Sequence, residues 1–177
     1  MNIVLIGYRG TGKTAIGKKL SKKLGWPLVQ LDEMIARKEG RSIPEIVAAC
    51  GWDYFRDIES KTVEKAARQD KHIIDTGGGV VLRQRNIDAL KINGLLFWLT
   101  ADPAVIIERI KDDSSRPSLT GSKSFIEEVQ EVLEQRLPLY KKAADVTIDT
   151  AGKSVDSSAD EIIKIYNKRL KGEEAKR

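Results

Sequence analysis

The stretch Gly7-Tyr8-Arg9-Gly10-Thr11-Gly12-Lys13-Thr14 decides the fold. It matches the pattern G-x-x-x-x-G-K-[ST] in full, and it lies between an apolar segment, residues 2–6, and a segment with helical spacing, residues 13–24. The glycines let the backbone curl so that N–H groups point at phosphate oxygens, and the start of a helix adds its positive dipole end. The stretch therefore predicts a phosphate-binding loop between a strand and a helix.

The side chains of this loop have separate predicted roles. Lys13 is expected to reach the β- and γ-phosphates of ATP and to act in catalysis, and the Thr14 hydroxyl is placed for Mg²⁺. Tyr8 and Arg9 occupy variable positions of the pattern, where the sequence favours neither a surface role nor a functional one. Further ATP contacts are expected from the neighbouring small residues Gly10, Thr11, Gly12 and Ala15.

Short apolar segments and helical segments alternate along the rest of the chain. The predicted strands cover residues 2–6, 27–31, 72–75, 95–100 and 145–148. The main predicted helices cover residues 13–24, 43–49, 54–68, 83–92 and 103–111, then a long helix to about residue 140 and a last helix at 157–170. Ser42 and Glu45 predict a capping box at the start of the second helix, and Gly51 is predicted to break that helix. This alternation, together with the phosphate-binding loop, predicts an α/β P-loop fold: a five-stranded parallel sheet flanked by helices in three layers. We expect one domain over residues 1–170 and a frayed basic tail at 171–177.

Composition limits the class of protein. Of the 177 residues, 41% are hydrophobic and 32% are charged, a balance typical of a globular domain. Cys50 is the single cysteine, so an internal disulfide is excluded and a reducing compartment is favoured. The apolar runs at residues 3–6 and 95–99 are too short to span a membrane. We expect a cytoplasmic monomer with no membrane partner.

Two observations favour a small-molecule kinase over other P-loop proteins. The only Asn-Lys pair, at 167–168, lies inside the last predicted helix, so the guanine-reading motif of GTPases is missing. A polar segment at about 112–123 contains a proline and a glycine and predicts a mobile lid. Kinases close such lids to exclude water, which would otherwise hydrolyse the γ-phosphoryl group.

Several short motifs together resemble those of shikimate kinases over residues 2–170. They are the phosphate loop, Asp32, Gly-Trp-Asp-Tyr-Phe-Arg-Asp-Ile-Glu at 51–59, Thr-Gly-Gly-Gly at 76–79, Ser-Arg-Pro at 115–117, and Gln-Arg-Leu-Pro-Leu-Tyr at 135–140. Each motif alone is weak, but their joint order and spacing is specific. The resemblance implies transfer of the γ-phosphoryl of ATP to the 3-hydroxyl of shikimate, in the route to aromatic amino acids.

The resemblance assigns the shikimate carboxylate to Arg56 and Arg136. A guanidinium fork donates two parallel hydrogen bonds to a carboxylate, which suits that role. The alternative for Arg56 is a salt bridge on a helix surface with Glu59 or Asp57. For Arg136, the alternative is a local pair with the neighbouring Glu134.

Asp32 follows an apolar strand, at the edge where open α/β sheets bind ligands. By resemblance it holds the substrate hydroxyls and orients the reacting one, and its alternative role is to cap a helix over residues 33–38. Three consecutive glycines, Gly77, Gly78 and Gly79, are expected to let the backbone approach the substrate. Arg116, in the lid, is expected to stabilise the charge of the transferring phosphoryl.

The chain departs from the family pattern at the end of the second strand. Shikimate kinases usually carry Asp-x-Asp there, whereas this chain has Gln30 before Asp32. Asp75, at the end of the third predicted strand, is a candidate replacement for the missing metal-side carboxylate, or else it only stabilises the turn. The adenine contacts are assigned loosely, to Lys153 and to Arg109 or its neighbours.

Two other functions stay open from the sequence. One is a related P-loop kinase acting on gluconate or on a nucleoside monophosphate, which the glycine triplet and the paired arginines disfavour. The other is a regulatory module that binds nucleotides or nucleic acid, prompted by the net charge of +5. Basic and aromatic residues do not cluster on one element, so we expect no nucleic-acid partner.

Overall fold

The computed structural model describes residues 1–111 and 125–174. The strands are β1 (Asn2–Ile6), β2 (Leu28–Gln30), β3 (Ile73–Asp75), β4 (Gly94–Thr100) and β5 (Val146–Asp149). The helices are α1 (Lys13–Leu24), α2 (Leu31–Glu39), α3 (Ile43–Ala67), α4 (Gln84–Ile92), α5 (Pro103–Ile110), α6 (Phe125–Ala143) and α7 (Val155–Glu174). A 3₁₀ turn at Val80–Leu82 follows β3.

The five strands form one sheet in the order β2-β3-β1-β4-β5, and every neighbouring pair is parallel. This confirms the predicted α/β fold. Because all the strands run the same way, the residues that follow them meet at one edge of the sheet. Gln30 at the end of β2 is in register with Asp75 at the end of β3, and Asp75 is in register with Leu5 of β1.

Both faces of the sheet are covered by helices. Val4 and Ile6 of β1 belong to a core that includes residues of α3, α4 and α6, whereas Ile3 and Leu5 belong to a second core with α1 and α7. Alternate side chains of a strand point to opposite faces, so a strand buried on both sides has to be apolar throughout. The nearly continuous apolar sequence of β1 follows from this position.

Helix α3 joins two segments that the sequence predicted as separate helices. Its start has the predicted capping box: the Ser42 hydroxyl accepts from the Glu45 N–H, and the Glu45 carboxylate accepts from the Ser42 N–H. The predicted break at Gly51 is a kink inside the element, with φ 80° and ψ 171°. Glycine adopts this conformation without strain, so the second half of α3 can turn towards the sheet.

Helix α7 is longer than the sequence predicted. It continues to Glu174, so residues 171–174 are helical where the sequence predicted a frayed tail. The predicted lid at 112–123, with Arg116, lies outside the described residues. Within 1–111 and 125–174, no helix is both long and apolar enough to cross a membrane.

Candidate active site

The loop between β1 and α1 is held by contacts within its own backbone. Gly12 precedes α1 with φ 91°, a left-handed conformation that favours glycine. The Lys13 ammonium donates to the carbonyl oxygens of Gly7 at 2.8 Å and Tyr8 at 3.0 Å, and only 8% of Lys13 is exposed. The Lys13 ammonium therefore lies against the backbone of the loop. A phosphate bound in the loop would replace the two carbonyls as the acceptor of its hydrogen bonds.

A cavity of about 460 Å³, which we call the loop pocket, opens in front of this loop. Its ionisable side chains are two cations, Arg9 and Lys13, and three carboxylates, Asp32, Glu33 and Asp75. Its other lining residues are Gly10, Gly12, Thr14, Ala15, Gln30, Thr76 and Gly78. Since the carboxylates outnumber the cations, a polyphosphate would bind here with a divalent cation more favourably than alone.

The carboxylate best placed for such a cation is Asp75. Its Oδ2 accepts a hydrogen bond of 2.7 Å from the Thr14 hydroxyl, and the residue is 6% exposed. Gln30 lies beside it on β2 and lines the same pocket. A carboxylate, a hydroxyl and an amide oxygen are all oxygen ligands of the kind that Mg²⁺ prefers. The donor set fits Mg²⁺, which usually keeps several of its waters and takes only one or two carboxylates from protein. Among the described residues, no group of three or more His, Cys, Asp or Glu side chains is arranged for a metal.

A second and narrower cavity, which we call the arginine pocket, adjoins the loop pocket. It is lined by Tyr8, Arg9, Asp32, Ile43, Trp52, Phe55, Arg56, Glu59, Gly77, Gly78, Gly79 and Arg136. Three of these residues are arginines and two are acids, so the pocket favours an anionic ligand.

Arg56 is held in the arginine pocket by α3. It donates to Glu59 Oε2 at 2.7 Å, and its guanidinium lies 5.3 Å from the ring centroid of Trp52 and 5.0 Å from that of Phe55. The predicted alternative, a pair with Glu59, therefore exists, but it lies inside a pocket and not on a helix surface. Burial raises the pKa of Glu59, and the adjacent Arg56 acts in the opposite direction.

Arg136 reaches the same pocket from α6. It is 9% exposed and donates to the Gly78 carbonyl at 3.2 Å. Tyr140, one turn further along α6, donates to the same carbonyl, and burial raises the pKa of its hydroxyl, which keeps it protonated. Among the described residues, Arg136 has no carboxylate within salt-bridge distance. A mostly buried guanidinium with this environment favours a ligand that carries a carboxylate.

The glycine triplet makes room for the side chains of the arginine pocket. A Cβ atom at Gly79 would lie 2.2 Å from the Arg56 guanidinium, and one at Gly77 would lie 2.8 Å from Asp32 Oδ1. Gly78 supplies the carbonyl that holds Arg136. Replacing Gly77 or Gly79 would therefore displace a side chain of the pocket, a packing reason for the triplet that the sequence did not reveal.

Asp32 lies at the boundary between the two pockets. It is the second residue of α2, and the N-cap of that helix is Gln30, so the alternative reading of Asp32 as the N-cap is wrong. Its position in the first turn still complements the positive end of the helix dipole. Asp32, Gly78 and Arg9 line both the loop pocket and the arginine pocket.

Sequence reasoning gave no role to Arg9, which the structure places in both pockets. Its side chain is 13% exposed and pairs with Glu128 of α6 at 3.4 Å, and the Glu128 side chain is 4% exposed. The loop motif alone carries no signal for this contact, because Glu128 is more than a hundred residues away in the chain.

Two predicted ATP contacts lie away from the loop pocket. Thr11 is buried, and its hydroxyl donates to the Tyr8 carbonyl at 2.8 Å. Lys153 is exposed and pairs with Glu161 of α7 at 2.7 Å. Arg109 of α5, which was loosely assigned to the adenine, donates to the Gly10 carbonyl at 3.1 Å and so contacts the backbone of the loop.

Comparison with known proteins identifies relatives along most of the chain. A family model described as shikimate kinase matches residues 9–167. The shikimate kinase of Thermodesulfovibrio yellowstonii is 44% identical over 171 residues, which are 97% of this chain and 98% of that protein. The shikimate kinase of Dehalococcoides mccartyi is 42% identical over 161 residues, which are 91% of this chain and 90% of that protein.

A solved structure shares the fold closely. Shikimate kinase from Acinetobacter baumannii, in complex with shikimate, has a TM-score of 0.90 and 29% sequence identity. The match covers 95% of this chain and 93% of that one. The resemblance stated from the sequence motifs is therefore confirmed.

Proposed function

Because the chain belongs to the shikimate kinase family, we propose that its loop pocket binds Mg²⁺-ATP and its arginine pocket binds shikimate. The reaction is that of the family: the γ-phosphoryl group of ATP is transferred to the 3-hydroxyl of shikimate, giving shikimate 3-phosphate and ADP. The assignment of named residues to this reaction is our proposal.

One observation carries the placement of shikimate. Arg136 and Arg56 come from different helices, α6 and α3, and both guanidinium groups reach one narrow pocket. Shikimate carries a single carboxylate, and two guanidinium groups can hold it at one end of the pocket. This leaves the ring hydroxyls directed towards Asp32 at the boundary with the loop pocket.

The transfer uses groups at this boundary. The 3-hydroxyl oxygen of shikimate forms a bond to the γ-phosphorus, and the bond from that phosphorus to the β,γ-bridging oxygen breaks, with its electron pair leaving on ADP. Asp32 orients the hydroxyl and accepts its proton. Lys13 stabilises the charge on the β- and γ-phosphates, and Gly77, Gly78 and Gly79 form the backbone wall against shikimate. Arg116, outside the described residues, remains the predicted lid arginine on the phosphates.

Mg²⁺ is proposed to bind at Thr14 and Asp75, where it would neutralise phosphate charge. Asp75 takes the role of the aspartate that the family usually carries at the position of Gln30. Both residues line the same pocket, and Asp75 accepts a hydrogen bond from the Thr14 hydroxyl. Asparagine at position 75 would keep an acceptor for Thr14 but would remove the charge that attracts the cation.

Asp75→Asn is therefore expected to raise the Mg²⁺ concentration for half-maximal rate about tenfold, whereas Gln30→Ala changes it less than about twofold. The independent measurement is calorimetric titration of ADP with and without Mg²⁺. Asp75→Asn should reduce the gain in ADP affinity that Mg²⁺ gives the parent enzyme. If the two substitutions have equal and small effects, Asp75 only stabilises the turn that follows β3 and does not hold Mg²⁺.

We further propose that the enzyme acts as a monomer, which is supported by both pockets being lined by residues of one chain. It works in the cytoplasm on shikimate and ATP, without nucleic-acid or membrane partners.

The proposed function is tested by an assay that couples ADP release to an optical signal. Shikimate, quinate, gluconate and nucleoside monophosphates are compared as acceptors under identical conditions. We expect turnover with shikimate alone, because only a carboxylate with correctly spaced hydroxyls engages both the arginines and Asp32. Comparable turnover with a nucleoside monophosphate would overturn the placement of shikimate.

A further inference from the structure

The two pockets share a wall, and the phosphoryl group has to cross it. Three residues line both pockets: Asp32, Gly78 and Arg9. Asp32 supplies a carboxylate for the acceptor hydroxyl, and Gly78 supplies backbone. Arg9 is the one cationic side chain of this shared wall within the part of the chain that the structure describes.

Arg9 is positioned by a buried partner. Its guanidinium is 3.4 Å from Glu128 Oε1 and lies 5.7 Å from the ring centroid of Tyr8. A guanidinium presents five N–H donors in a plane, so an ion pair with Glu128 is compatible with contacts to phosphoryl oxygens. Because its side chain is mostly buried, its field is weakly screened by water and acts strongly over short distances.

We propose that Arg9 is a catalytic residue that contacts the transferring phosphoryl group, and that Glu128 positions it. The proposal rests on the binding of ATP in the loop pocket and of shikimate in the arginine pocket. As the oxygen of the 3-hydroxyl bonds to phosphorus and ADP departs, negative charge is spread over the three equatorial phosphoryl oxygens. A guanidinium fixed at the shared wall stabilises this charge more than it stabilises either bound substrate.

The position of Arg9 in the loop motif adds a second reason. The loop's glycines and Lys13 hold the phosphates from the side of β1, and Asp32 approaches the acceptor from α2. Arg9 pairs instead with Glu128 of α6, the helix that also carries Arg136. The two cations are therefore held by different partners, and Arg9 supplies a positive charge in addition to that of Lys13.

Arg9→Met tests the proposal, because methionine keeps much of the side-chain length and loses the charge. We expect kcat to fall about 100-fold, with the KM values for ATP and shikimate changed less than about threefold. Arg9→Lys, which keeps the charge but not the planar fork, should recover part of the lost kcat. Arg169→Met on the exposed surface of α7 is the matched control and should retain the parental rate.

A binding measurement shows whether Arg9→Met affects the chemical step or the binding of the substrates. Calorimetry should show unchanged affinities of Arg9→Met for shikimate alone and for Mg²⁺-ADP alone. Its affinity for the combination of Mg²⁺-ADP, shikimate and aluminium fluoride, which imitates the transferring phosphoryl, should fall about 100-fold, in line with kcat.

Removing Arg9 takes away a cation that pairs with the buried Glu128, so Arg9→Met can fail to fold. The double variant Arg9→Met with Glu128→Gln removes both charges of this pair, and it should show the same loss of kcat. A folded variant with kcat within threefold of the parent, or with raised KM values and unchanged kcat, would overturn the proposal. If the parent itself shows no turnover with shikimate, the proposed function fails instead.

Discussion

Lys13→Ala is expected to lower kcat/KM for ATP by about 1000-fold, the largest effect of any single substitution on nucleotide use. The ammonium lies against the Gly7 and Tyr8 carbonyls, in the loop that is proposed to bind the β- and γ-phosphates. Its removal takes away a positive charge that acts more on the transition state than on bound ATP. The measurement is steady-state kinetics by coupled ADP release.

The control for Lys13→Ala is Lys18→Ala. Lys18 is exposed on the same helix, α1, and it does not line either pocket. It should retain the parental kcat/KM. Thermal unfolding of both variants checks that the loop has not collapsed, since Lys13 also joins two carbonyls of its own loop. A folded Lys13→Ala enzyme with activity within tenfold of the parent would contradict the assignment of the loop pocket to ATP.

Asp32→Asn is expected to lower kcat about 1000-fold with little change in the KM for ATP. Asparagine has nearly the same shape but cannot accept the proton of the attacking hydroxyl. Because Asp32 lies at the shared wall of the two pockets, its loss affects the chemical step more than nucleotide binding. Initial rates at saturating ATP and shikimate give kcat directly.

Asp53→Asn provides the comparison for this substitution. Asp53 is exposed on α3, close in sequence to Arg56 but outside the residues that line the two pockets. Its kcat should equal that of the parent. If Asp32→Asn instead raised the KM for shikimate and left kcat unchanged, Asp32 would bind the substrate hydroxyls without taking part in proton transfer.

Local signals predicted most of the fold. Helix α1 begins and ends at the predicted residues, because Gly12 and Gly25 both adopt left-handed conformations at its ends. The capping box at Ser42 depends on residues only three apart, so the local sequence was enough to predict it. The boundary between two predicted helices at Gly51 was less accurate, since a glycine can either end a helix or kink it, and tertiary packing decides which occurs.

The site was predicted less completely, because its geometry depends on distant contacts. Arg56 and Arg136 were assigned from family motifs, and no local pattern shows that α3 and α6 bring them to one pocket. Arg9 was missed for the same reason: its burial depends on Glu128, which comes from α6. For Lys153, the resemblance predicts an ATP contact, and the structure adds only an exposed pair with Glu161, so this contact stays a prediction.

The departure at Gln30 illustrates how the fold accommodates a changed residue. β2 and β3 are neighbours in parallel register, so the residue that ends one strand lies beside the residue that ends the other. The proposed Mg²⁺ site depends on this neighbour relation, because the Asp75 carboxylate lies beside Gln30 and lines the same pocket. The sequence alone does not give the register of the two strands.

The most direct test of the central claim is a crystal structure of the enzyme with Mg²⁺-ADP and shikimate. We predict the β-phosphate within the loop formed by residues 7–14, the shikimate carboxylate between Arg56 and Arg136, and a ring hydroxyl next to Asp32. Shikimate bound elsewhere, with Arg56 and Arg136 contacting only protein, would contradict the account of the site.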